Sequence, residues 1–84
     1  MYQVVIERRA ERDLESLPRH MFQSVTIAIR SLANNPRPVG CRKLRGSRRD
    51  WRIRIGDYRV IYEIDESRHE VRILLVRNRK DAYR

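Results

Sequence analysis

The stretch DWRIRIGDYRVIYEI, residues 50–64, decides the fold. Apolar and polar residues alternate on both sides of Gly56-Asp57, the pattern of two half-buried strands joined by a two-residue turn. Such a turn sets the register. Ile55 then faces Tyr58, Arg54 faces Arg59, Ile53 faces Val60, Arg52 faces Ile61 and Trp51 faces Tyr62. One side of the ribbon carries Trp51, Ile53, Ile55, Tyr58, Val60 and Tyr62, which read as core; the other collects Arg52, Arg54 and Arg59. Directly opposed like charges are mildly destabilising in a bare sheet. Either water solvates that side, with Glu63 and Glu70 offsetting part of the charge, or an anion sits on it. Guanidinium groups are planar, permanently charged and matched to paired hydrogen bonds with phosphate oxygens, so a rigid patch of them can cradle phosphate.

Working outward, Glu70–Val76 reads as a third strand, apolar on both sides and therefore interior to the sheet. At the other end of the chain, Tyr2–Glu7 is a short β-branched strand that pairs beside the last one. Ala10, Leu14 and Leu17 follow at helical spacing until Pro18 stops them. A second helix is expected from about Arg19 to Ala33, with Met21, Val25, Ala28 and Leu32 on one face, widened by Phe22 and Ile29. Asn34, Asn35, Pro36 and Pro38 end it. The expected fold is α+β, in the order β-α-α-β-β-β with a short C-terminal tail. A small, mostly antiparallel four-stranded sheet has the helical hairpin packed on one face, and residues 1–84 make one domain.

Charge narrows the function. The chain holds 20 Lys+Arg against 11 Asp+Glu, a net +9, and only Lys43 and Lys80 are lysines. That excess on so short a chain implies a polyanionic partner, nucleic acid or an acidic protein, through counterion release and steering. A lone Cys41 excludes an internal disulfide and points to a reducing compartment. His20 and His69 lie far apart, so no metal site and no cofactor is expected. No apolar run approaches a membrane span, and a cytoplasmic location away from membranes is expected.

The segments AERDLESLP (10–18), ANNPRPVGCRKLRG (33–46), DWRIRIGDYRVIYEID (50–65) and VRNRKDAYR (76–84) together resemble the RelE branch of the RelE/ParE toxin superfamily. The resemblance spans nearly the whole chain and keeps the family's element order. It implies the toxin of a type II toxin–antitoxin pair that enters the ribosomal A site and cuts mRNA without a metal. Carried over residue by residue, the basic positions of the first hairpin strand match Arg52 and Arg54. The arginine of the next strand matches Arg59, the late arginine Arg79, and the tyrosine near the end Tyr83. By resemblance these surround the scissile phosphate, with the tyrosine orienting a base. Lys43, Arg45, Arg77 and Lys80 are further candidates for RNA or phosphate contact. The implied partners are a cognate antitoxin, the ribosome with its mRNA, and operator DNA only through the antitoxin complex.

The sequence departs from the family in two places. Arg52 and Arg54 stand where relatives often have lysine, and Arg77-Asn78 where many carry Gly-His. Arginine cannot serve as a general base. Attack by the RNA 2′-hydroxyl therefore leaves Lys80, Tyr83, Asp81 or a ribosomal group to take the proton, with Arg59 and Arg79 stabilising the phosphorane electrostatically. Two alternatives stay open: a ParE-like toxin that poisons gyrase, and a non-catalytic protein whose basic face only grips nucleic acid.

Overall fold

Gly56 adopts φ +61°, the left-handed value that a glycine takes at the first position of a II′-type turn, and around it the hairpin closes in the expected register. The computed structural model describes residues 1–80. Its elements are β1 (Gln3–Ile6), α1 (Arg8–Glu15), α2 (Arg19–Ser31), β2 (Arg42–Lys43), β3 (Asp50–Ile55), β4 (Tyr58–Asp65) and β5 (Glu70–Asn78). The sheet order is β1-β5-β4-β3-β2, with β1 parallel to β5 and every other pair antiparallel. The fold is thus α+β with two helices, as expected, but the described sheet has five strands rather than four. The addition is β2, where Arg42 pairs with Arg52 and Lys43 with Trp51. Two residues carry no alternation to read. The strand exists because the tight loop behind it, closed by Leu44 N–H donating to Asp50 O at 2.9 Å, lays the chain along β3.

The core lies between the helices and one side of the sheet. Ala10 and Leu14 of α1 and Val25 and Ile29 of α2, with Leu32 just beyond, meet Ile53, Val60, Tyr62, Ile64, Val71, Ile73 and Val76. Each fully buried aliphatic side chain contributes about 1.5–3 kcal/mol, which is what fixes the helical layer to the strands. The stripe of α2 is narrower than its sequence suggests. Phe22, in the first turn, keeps 41 % of its surface exposed, and burial begins at Val25. Trp51, Ile55 and Tyr58 pack against the core but are only half-buried. No described helix is long and apolar enough to cross a membrane.

A bulge decides which way the end of β5 faces. Ile61 pairs with Leu75 while Tyr62 pairs with Ile73, so Leu74 is an extra residue. Val71 and Ile73 point to the core; after the bulge Val76 does so, three positions on instead of two. Arg77 consequently falls on the outer side, directly opposite Arg59. Were Leu74 paired in an unbroken strand instead of bulged, the alternation from Ile73 would send Arg77 beneath the helices.

Past the helices, the loop is pinned from below. The Tyr62 hydroxyl donates to Pro36 O at 2.7 Å, and the Tyr62 side chain is wholly buried. Burial, followed by the neighbouring Cys41 thiol, raises the phenol well above its ordinary pKa.

Candidate phosphate site and family

The outer side of the sheet sorts its charges by rows, because residues paired across strands share a face. Nearest the hairpin turn, Arg54, Arg59 and Arg77 stand in line across β3, β4 and β5. The next row holds Arg42, Arg52, Ile61 and Leu75. Farther along, Asp50, Glu63 and Arg72 form a mixed row. Glu70, expected to offset the arginine patch, instead contacts Arg72 at 2.6 Å, which also reaches Glu7 at 3.5 Å. The Glu70 carboxylate raises the Arg72 guanidinium above its usual range. Positive charge is therefore concentrated at the turn end, and around Arg72 at the other end carboxylates outnumber arginines.

Arg79 joins that end from the chain's exit. Its N–H donates to Asp57 O at 2.6 Å, which ties the segment after β5 to the β3–β4 turn. A depression of about 50 Å³ is lined by Arg54, Gly56, Asp57, Tyr58, Arg59 and Arg79. Three of the five residues expected to act on phosphate thus border one concavity. Arg52 stands on the same face, two residues back along β3. Tyr83 and Asp81 lie outside the described residues.

The other basic candidates are spread more widely. Lys80 borders a larger cleft of about 800 Å³ that shares Asp57, Tyr58 and Arg79 with the depression. Lys43 lines a separate pocket, together with Arg49 and with Arg37, whose guanidinium sits 5.1 Å from the Trp51 ring centre. Arg45 is exposed in the turn after β2. Arg77 contacts Asp13 of α1 at 2.6 Å. That acid was not among the candidates read from the sequence. It sits on the polar side of an amphipathic helix, and only the tertiary fold shows that it meets β5.

Magnitudes show what such an arrangement can do. Two unit charges 4 Å apart repel by about 1 kcal/mol in bulk water and about 4 kcal/mol at an effective dielectric near 20. A cluster of guanidiniums on neighbouring strands is tolerable while hydrated. It becomes costly once a ligand excludes water, unless that ligand is itself an anion. A phosphodiester supplies the charge and the acceptor oxygens that arginine forks match. The cluster can bind such a group and stabilise added negative charge on it, but its arginines cannot take up a proton.

Comparison with known proteins identifies the family. A family model described as the ParE toxin of the type II toxin–antitoxin system parDE matches residues 4–83. The chain is 38 % identical to Toxin RelE of Mycobacterium tuberculosis over 85 residues, covering 99 % of this chain and 87 % of the relative. Among solved structures, the Mycobacterium tuberculosis RelBE2 toxin–antitoxin complex contains a chain with TM-score 0.81 and 31 % identity, over 93 % of this chain and 98 % of that one. The RelE–RelB complex of the archaeon Pyrococcus horikoshii gives TM-score 0.83 and 30 % identity, over 93 % and 94 %. Sequence and fold converge: the chain belongs to the RelE/ParE superfamily and is a RelE-like toxin of a type II toxin–antitoxin system.

Proposed function

We propose that this toxin is an endoribonuclease acting in the cytoplasm, one that cuts mRNA in the ribosomal A site by attack of a 2′-hydroxyl on the adjacent phosphorus, without a metal. The observation that carries the proposal is the convergence of Arg54, Arg59 and Arg79 on one depression, with Arg52 next to them on the same face. In the transition state the phosphorane gains negative charge. Preorganised donors aimed at that charge account for about 10²–10³-fold in rate each where they have been removed in other enzymes. Arg59 and Arg79 fill that role here, and Arg52 and Arg54 align the RNA backbone. Tyr83 orients a base. The 2′-hydroxyl proton leaves to Lys80, Tyr83, Asp81 or a ribosomal group, and the departing 5′-oxygen must be protonated in turn. Lys43 and Arg45, at the far end of β3, contact RNA phosphates outside the reaction centre.

The solved relatives described above are complexes with RelB antitoxins. A cognate antitoxin of acidic character fits the +9 charge of this chain, and operator DNA is met only through that complex. The ParE description of the matching family model favours gyrase as the second reading. One experiment separates them. The toxin is added to a translation extract, 3′ ends are mapped on a ribosome-bound message, and gyrase-linked DNA breaks are assayed in parallel. A-site cuts that fall about 10²–10³-fold with Arg59→Ala support the nuclease. Intact message with gyrase-linked breaks would replace it with the ParE reading, and neither product would leave a grip without chemistry.

A further inference from the structure

Arg77 shares a cross-strand row with Arg59 and Arg54 and is held there by an acid of the helical layer. Asp13 divides its carboxylate between two partners on β5. Oδ2 accepts the Val76 N–H at 2.9 Å, and Oδ1 meets Arg77 Nη1 at 2.6 Å. Nη1 also donates to Val76 O at 3.2 Å. The Asp13 and Arg77 side chains keep only 17 % and 28 % of their surface exposed, so salt screens this pair less than an open surface pair. The main-chain bond matters as well. β1 pairs with β5 only as far as Ile73, and beyond it α1 takes over that edge, with Asp13 as the acceptor for Val76.

A phosphate that recruited Arg77 would have to displace a short, charge-assisted contact already in place. We infer that Asp13 is a positioning residue, an internal counterion that holds Arg77 out of the phosphate-contacting set and leaves the anion to Arg54, Arg59 and Arg79. The same carboxylate fixes the backbone at Val76, three residues before Arg79. Arg77 is thereby a brace for the site and not one of its ligands. The inference rests on the RNA-cleaving reading for the identity of the anion, but binding alone can test it.

The test measures affinity of the full chain for a 2′-O-methyl RNA oligonucleotide, which cannot be cut by 2′-attack, across a series of salt concentrations. For single strands the slope of log K against log salt changes by about 0.7 for each phosphate neutralised. Asp13→Asn keeps an acceptor for Val76 N–H and removes the charge. Its slope should steepen by about 0.7, and Asp13→Asn combined with Arg77→Gln should return to the wild-type slope. Arg77→Gln alone should match wild type. A slope about 0.7 shallower in Arg77→Gln would show that Arg77 already contacts RNA and would overturn the inference, whether or not Asp13→Asn folds. An unchanged slope in folded Asp13→Asn, or a steepened one that persists in the double variant, would overturn it too. Wild-type protein with no measurable affinity for the oligonucleotide would remove both this inference and the RNA-cleaving reading. Binding with the wrong slopes removes the inference alone.

Discussion

Replacing Tyr62 by Phe tests how the helical layer is tied to the sheet. The ring is wholly buried, and its hydroxyl makes a 2.7 Å hydrogen bond to Pro36 O, a residue that is itself buried. Phenylalanine fills nearly the same volume, so the packing loss is small. What disappears is one hydrogen bond, worth about 1 kcal/mol net, and what remains is a buried carbonyl missing its donor, at about 1–3 kcal/mol. A loss of about 2 kcal/mol is expected, against about 4–12 kcal/mol for a domain of this length. At about 4–8 °C per kcal/mol, Tm should fall by about 8–16 °C. Urea unfolding followed by circular dichroism should show a lower midpoint with an unchanged m-value. The pH dependence gives a second reading on the same variant. Burial raises the folded-state pKa of Tyr62, so the unfolded chain ionises first as pH climbs past about 10. The folded state then holds more protons, and stability drops from that pH through the folded value. Phenylalanine should remove the Tyr62 share of that alkaline decline. A loss below about 0.5 kcal/mol, with the alkaline limb unaltered, would refute the claim that this hydroxyl anchors the loop.

Three further outcomes follow from single positions. Gly56→Ala should destabilise by about 1–2 kcal/mol in denaturant unfolding, because φ is +61° and an added Cβ would come within 3.3 Å of Met21 Cε; Gly56→Asn should recover part of the loss. Ser67→Ala should move the Asp65 titration, followed by NMR, up toward the ordinary carboxylate range. The Ser67 hydroxyl leads the contacts that hold Asp65 low, ahead of the Arg68 N–H and the Arg49 guanidinium. Because that folded-state pKa is depressed, its contribution to stability is present above the usual value near 4 and lost as pH falls through the folded value. Ile29→Ala should cost about 2–5 kcal/mol in the same unfolding assay, whereas Ile27→Ala, two positions earlier on a residue 65 % exposed, should stay within about 0.5 kcal/mol.

The hairpin and its charged side were legible because period-two alternation and a Gly-first turn leave one register that buries Ile53, Val60 and Tyr62. Both helices were legible from their spacing and from Pro18, although α2 buries less than its stripe implies. Other features lay beyond local pattern. Arg42–Lys43 forms a strand through backbone pairing alone, without a side-chain signature. The run Ile73-Leu74-Leu75-Val76 is apolar at every position, so nothing in it marks which residue the bulge will leave over. The resemblance named Arg54, Arg59 and Arg79, and the fold places them around one depression. Asp13 was invisible because its partner lies 63 or 64 positions away, across a contact that only α1 on β5 creates.

Leu74 divides the last strand into two segments of opposite phase, and this constrains how the chain can change length. Deleting one residue between Ile73 and Val76 would restore unbroken alternation and keep the valine inside, whereas deleting both Leu74 and Leu75 would exchange inside for outside for everything that follows, turning a guanidinium toward the helices and a valine toward water. Relatives that lack the bulge can therefore keep the same arrangement of arginines only if they differ there by an odd number of residues. The parity of a four-residue run thus decides the chemistry of the surface downstream of it.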